Sequence, residues 1–214
     1  RKAEPYHIVA EIRDEKNLEA ARLVGRDEAH FILASDLISR ITVQTCRQSG
    51  LSVVYTELLD FGGDEIYFKE EPSLVGQSYA KALYSYDDST VMGIAKADAT
   101  VLVNPPSDTK IEVGDHLICI SQDDDTIKLS SEKPLVNTSA IVSLNTVVTK
   151  PERTLVLGWN RQGATILKEL EQYVAEGSSV TVVSSHDVAE DLQRAVLYKQ
   201  KVSVHTGDTT DRRV

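Results

Sequence analysis

The sequence predicts an α/β protein in which Rossmann-like half-domains, each a parallel sheet with flanking helices, surround a small α+β lobe. Three observations carry this. Within Arg153–Gly163 a short buried strand, Thr154–Leu157, runs into a glycine-bearing turn, and a helix follows with apolar residues at Ile166, Leu167, Leu170, Tyr173 and Val174. Strands at Val180–Val183 and Val202–Val204 complete the first half of a doubly wound sheet. The first fifty residues show the same strand–helix alternation without a glycine-rich turn, as the second half of such a unit would.

In order, Tyr6–Glu11 reads as a strand and Asn17–Val24 as a short helix that Gly25 ends. Ala29–Ala34 is a nearly continuous apolar run of the kind buried on both sheet faces. Ser35 or Asp36 caps a longer helix whose apolar face is Leu37, Ile38, Ile41 and Thr45. Beyond Gly50 the texture changes. Leu51–Leu59 reads as a helix and Glu65–Phe68 as a strand, and Ser78 caps a helix running to Tyr86 with Tyr79, Tyr84 and Tyr86 on one face. Strands at Thr90–Ala95, Thr100–Val103 and His116–Ile120 alternate with turns, the signature of a small antiparallel module. Gln122–Asp125 is a solvated acidic linker, and Ile127–Leu129 and Ala140–Leu144 are short strand-like runs.

Composition excludes several classes. The net charge of −10 argues against nucleic acid and anionic membranes, which need clustered Lys and Arg. No apolar run approaches the roughly 20 residues that span a bilayer, so this stretch inserts in no membrane directly. Cys46 and Cys119 lie far apart and outside any Cys-x-x-Cys motif, which reads as two reduced thiols in a cytosolic protein. A strand sits close to each end with no capping element, so the chain is read as a fragment of a longer polypeptide.

The segments Leu74-Val75-Gly76-Gln77-Ser78, Val91–Ile94, Asn104–Thr109 and Val113–Ile118 resemble the C-terminal (TrkA-C-type) lobe of RCK domains, regulators of potassium conductance. His7–Asp14, Glu57–Phe68 and Leu155–Arg161 are similar to the Castor/Pollux (DMI-type) ion-channel family. The resemblance implies a cytoplasmic gating-ring portion of a cation channel. Residues 1–60 would be the rear half of a first RCK core with its crossover helices, and 61–121 its C-terminal lobe. Residues 122–152 would be a linker, and 153–214 the front half of a second core. It further implies self-association into a dimer or ring and a partner pore domain on the same polypeptide. In a 3-2-1-4-5-6 sheet the two half-sheets are each other's missing neighbours, so strand 154–157 is expected to pair with strand 7–11, within a chain or between chains.

A dinucleotide fingerprint wants Gly-x-Gly-x-x-Gly. Gly158 and Gly163 hold the outer places, but Asn160 stands at the middle one, where a side chain crowds a pyrophosphate. The ribose-binding acid is missing too, with Ser184 and Ser185 in its place. Asp187 and Glu190 read as a capping box. The turn is foremost a fold marker. If a ligand binds, Gly158, Asn160, Arg161, Gln162 and Gly163 are its contacts, with Asp208 behind them. The cofactor is left open: the family resemblance favours calcium over a nucleotide. Asp123, Asp124 and Asp125, with Asp87 and Asp88, are the candidate carboxylates, though none has EF-hand spacing and a solvated acidic surface explains each. No catalytic residue is assigned. Gly76-Gln77-Ser78-Tyr79-Ala80 lacks the last glycine of a nucleophile elbow, and the histidines show no zinc spacing. The regulatory reading stands against two alternatives, a nucleotide-binding oxidoreductase fragment and a ligand-free assembly module.

Overall fold

The computed structural model describes residues 6–131, 137–142 and 148–210. Its elements in chain order begin with β1 (Ile8–Ile12), α1 (Leu18–Gly25), β2 (Ala29–Leu33), α2 (Ala34–Arg47) and α3 (Leu51–Leu59). There follow β3 (Glu65–Lys69), α4 (Tyr79–Leu83), β4 (Thr90–Ala95), β5 (Val101–Val103) and β6 (His116–Ser121). The last are β7 (Arg153–Leu157), α5 (Gly163–Tyr173), β8 (Ser178–Ser184), α6 (Ala189–Gln193) and β9 (Gln200–Thr206). The described residues fall into two compact units, one within Arg1–Ser49 and Asn145–Val214, the other within Gly50–Leu144.

The first unit holds two parallel sheets. β1 pairs with β2, Ala10 opposite Phe31, and β8 lies between β7 and β9. The expected pairing of 154–157 with 7–11 is not made within the chain: among the described residues β7 bonds to β8 and β1 to β2. β2 is consequently not buried on both faces, and Ile32 stays 46% exposed. One core forms under α5, from Leu167, Leu170, Val174, Val180 and Val182, and Val43 of α2 completes it at 1% exposure.

Local sequence logic needs several corrections here. Gly25 is the last helical residue of α1, and Arg26, at φ 47°, takes the cap position. Glycine is needed at 25 for space, because a Cβ would lie 2.6 Å from Ala29 Cβ and 2.7 Å from the Phe31 ring. α2 starts at Ala34, so Ser35 and Asp36 lie inside its first turn rather than capping it. Asp36 instead accepts from Arg40 Nε at 2.8 Å. Its buried residues are Ser39 and Val43, while Leu37 and Ile38 are half exposed: packing chose a different stripe from the most apolar one. Asp187 accepts only from Ala189 N, and Val188 occupies the N-cap, so no capping box forms with Glu190.

The second unit is a four-stranded antiparallel sheet of order β3-β6-β4-β5. Its core gathers Leu74, Tyr79, Ala82, Tyr86, Val91, Ile94, Ile111, Leu117, Cys119 and Ile127. α4 is capped by Ser78, which accepts from Lys81 N at 3.3 Å, but it ends at Leu83. Tyr84 is therefore outside, 53% exposed, while Tyr79 and Tyr86 are buried. Burial also pushes the Cys119 thiol up to about 11. Asp123 caps a short 3₁₀ turn, Asp124–Thr126, in a capping box with Thr126, which carries the chain back so that Ile127 is buried. Ile127–Leu129 is no strand, since only Leu129 makes a bridge, to Tyr86. Of 140–144, Ala140 closes a 3₁₀ turn, and 143–144 lie outside the described residues.

One polar cluster holds the turns of this lobe. Asp115, 4% exposed, accepts from Lys96 Nζ at 2.7 Å, Glu112 N at 2.8 Å and Ala97 N at 3.2 Å. Burial works to raise its pKa, but the bonds from Lys96 and the two amides outweigh it and hold the carboxyl below its ordinary range. Removing that charge leaves Lys96 paired with Glu112 alone, at 2.7 Å, and takes the charged acceptor from the Glu112 and Ala97 amides, so Asp115→Asn is expected to destabilise the protein by about 1–3 kcal/mol near neutrality. With a depressed folded pKa, this stabilisation is present above the ordinary carboxylate range and disappears as pH falls through the folded value. Urea unfolding of both proteins between about pH 7 and about pH 3 should show the gap closing on acidification. A gap that stayed constant would mean that the Asp115 charge contributes nothing.

Candidate functional site

β7 delivers Gly158 to the carboxyl edge of its sheet, where a doubly wound fold places ligands. Gly158 has φ +84° with open space where a Cβ would be, and its N–H donates to Val183 O at 2.8 Å. Beyond it a cleft of about 350 Å³ is lined by Val156, Leu157, Gly158, Trp159, Asn160, Gly163, Ile166 and Leu167.

The turn spends its polar groups on itself. Asn160 Oδ1 accepts from Gln162 N at 2.8 Å, and Asn160 O from Gly163 N at 3.0 Å. Trp159, the single tryptophan, lies over the start of α5: a Cβ at Gly163 would stand 2.6 Å from its Cε2. The indole Nε1–H donates to Asp191 Oδ2 at 3.0 Å, pinning the ring between α5 and α6. Gly163 thus does the close-packing work of a third fingerprint glycine, but toward an indole. Sequence reasoning missed Trp159, although its place between Gly158 and Asn160 was a usable signal.

The candidate contacts come together only partly. Gly158, Asn160 and Gly163 line the cleft, whereas Arg161 is exposed and neither it nor Gln162 is part of the wall. Asp208 is exposed and accepts from the Thr210 hydroxyl at 2.7 Å and amide at 2.9 Å, bonds that lower its pKa. It caps its own turn. Asp87 and Asp88 are exposed, and Asp123 is occupied as a cap. Asp123 and Asp125 also line a separate cleft of about 490 Å³ with Glu65 and Tyr67. There the Tyr67 hydroxyl donates to Glu65 at 2.6 Å, and its pKa is pushed up to about 12, first by that bond. Among the described residues, no three His, Cys, Asp or Glu side chains are grouped to hold a metal ion. No helix among them is long and apolar enough to cross a membrane.

The residues that sequence reasoning did not single out form a joint between α2 and α5. Val43 fills its centre. Around it, Arg40 pairs with Glu169 at 3.3 Å and Arg47 with Glu152 at 2.6 Å. The Arg47 guanidinium lies 5.6 Å from the Tyr173 ring centroid, and Gln44 donates to the Tyr173 hydroxyl at 3.4 Å. These pairs join residues more than a hundred positions apart, so no local pattern announces them.

Residues 35–137, which span α2, α3 and the antiparallel lobe, match the family model described as "Castor and Pollux, part of voltage-gated ion channel". The sequence is that of a Castor/Pollux-family segment. It is 31% identical over 176 residues to "Probable ion channel POLLUX" of Oryza sativa subsp. japonica, covering 81% of this chain and 18% of that protein. To "Ion channel CASTOR" of Lotus japonicus it is 30% identical over 176 residues, covering 81% and 20%. The chain spans about a fifth of the length of these curated relatives. In fold it is similar to the solved human SLO3 gating ring, with a TM-score of 0.60 at 12% identity, over 94% of this chain and 46% of that one.

The Trp159–Gly163 stack makes a clean double-mutant cycle. Gly163→Ala should cost about 1–3 kcal/mol in the native background, because the new methyl must displace the indole. In a Trp159→Ala background the same change should cost less than about 0.5 kcal/mol. Chemical unfolding followed by circular dichroism measures both, and equal costs would remove the indole from the explanation.

Proposed function

We propose that this Castor/Pollux segment is the regulatory, gating-ring portion of a cation channel, lying on the cytoplasmic side and coupling ligand or ion binding to pore opening. The observation that carries the reading is sequence similarity to proteins named as ion channels over 81% of the chain, joined to a gating-ring-like fold. On this reading residues 1–60 and 61–121 belong to one regulatory domain, 122–152 link it onward, and 153–214 open the next. Self-association into a ring and a pore domain elsewhere on the polypeptide are the partners.

The reading is non-enzymatic. An oxidoreductase would need pyrophosphate and ribose contacts, and here Trp159 covers the helix start while Asn160 Oδ1 is committed to Gln162. A regulating ligand acts only through its differential affinity for two states of the ring. The α2–α5 joint suits that role, since it ties the first regulatory domain to the second through a small apolar centre and a charged rim. Calcium at Asp123, Asp124, Asp125, Asp87 or Asp88 belongs to the same proposal, and of these Asp123 and Asp125 share one cleft.

The test is a channel in which this segment replaces the matching region of a Castor/Pollux relative, recorded in planar bilayers. Arg47→Glu should shift open probability by about two- to fivefold through a weakened joint. Adding Glu152→Arg should restore most of it. Unaltered gating in both variants would remove the joint from the mechanism. Hydride transfer with NAD(H) by the purified protein would overturn the non-enzymatic reading.

A further inference from the structure

Two buried acceptors come together where α5 meets the start of β9. Glu171 and Gln200 are each 6% exposed. Glu171 Oε1 accepts from the Tyr198 amide at 2.7 Å and the Lys199 amide at 2.6 Å. Lys199 Nζ donates to the backbone carbonyl of Glu171 at 3.1 Å. Gln200 Nε2 donates to Leu167 O, one turn earlier on α5, at 2.9 Å. One turn of the helix and the run Tyr198–Gln200 thus supply all of these bonds, and both side-chain heads lie against the same patch. The remaining oxygens, Glu171 Oε2 and Gln200 Oε1, are shut off from solvent and accept no hydrogen bond from any described group. Leu167, Leu170 and Val174 of the adjoining core are apolar and offer no side-chain donor.

We propose that Glu171 and Gln200 bind one internal water, which donates one hydrogen to Glu171 Oε2 and the other to Gln200 Oε1. Chemistry selects this ligand. Both open groups are acceptors, so a shared partner must donate twice, and a buried acceptor without a donor is costly. Water meets the need, since a buried molecule makes about three hydrogen bonds to such groups. A hard metal cation does not, because it takes about six to eight oxygens and only two are open here. The Lys199 ammonium, already on the Glu171 carbonyl, also opposes a second cation. A carboxyl proton shared between the two oxygens fits less well, because the short amide bonds to Oε1 are those of an ionised carboxylate. The water completes a clamp between α5 and the turn that leads from α6 into β9. In that turn Leu197 packs on the core while Val196 and Tyr198 stay in solvent, and the clamp fixes which of them faces inward.

The experiment is a crystal structure of the whole native chain at a resolution that shows ordered water. A single peak should stand within about 3.2 Å of both Glu171 Oε2 and Gln200 Oε1. Gln200→Met, close in size and without an amide oxygen, should lose that peak. In the same variant, amide hydrogen exchange at Tyr198 and Lys199 should quicken about tenfold. The Gly158 amide, bonded to Val183 O elsewhere in the sheet, should exchange as in the native protein. Absence of a shared peak in the native structure overturns the proposal, whether the two oxygens touch directly or each takes its own water. A peak that gains anomalous signal after soaking in a thallium salt is a cation and overturns it as well. A folded Gln200→Met protein that keeps the peak, or keeps native exchange at both amides, does the same. If that variant does not fold, the native peak alone decides.

Discussion

Val43 is the side chain on which the larger unit depends. It projects from α2, near the start of the chain, into a core built from α5 and β8, and it is 1% exposed. Burying a valine side chain stabilises by about 1.5–3 kcal/mol, whereas each half-exposed ion pair around it contributes about 0–1 kcal/mol. Apolar packing therefore holds the joint, and the Arg40–Glu169 and Arg47–Glu152 pairs set its register. Among the described residues the β1–β2 sheet and the β7–β8–β9 sheet share no ladder hydrogen bonds, so this contact and its rim are what join them.

The α2–α5 joint has an apolar centre and a charged rim. The antiparallel lobe is built on the opposite principle. Its turns are locked by Asp115, which satisfies two amides and Lys96 at once, and by hydroxyls that bond in series from Ser89 through Ser121 to Thr126.

The two glycines of the turn at 158 and 163 have structural work to do. The first makes the left-handed turn, and the last allows close packing against Trp159. The middle position is Asn160, whose side chain closes the turn on itself.

Sequence alone determined the types and order of the longer helices and strands, though not the short runs at 127–129 and 140–144, because apolar periodicity, Gly and Pro punctuation and caps such as Ser78 are local properties. It also determined the family, since motifs such as Asn104–Thr109 and Leu155–Arg161 read directly from the chain. Tertiary structure decided everything that depends on contacts between distant segments. Val43 rather than Leu37 or Ile38 is buried because α5 arrives beneath that stripe of α2. Gly25 is a spacer rather than a cap because Phe31 folds back against it. Tyr84 leaves the core because α4 stops at Leu83. Trp159 covers Gly163 because Asp191, a helix away, holds the indole there. Long-range packing energy exceeds the few tenths of a kcal/mol that separate local alternatives, so at those positions the fold overrules the pattern.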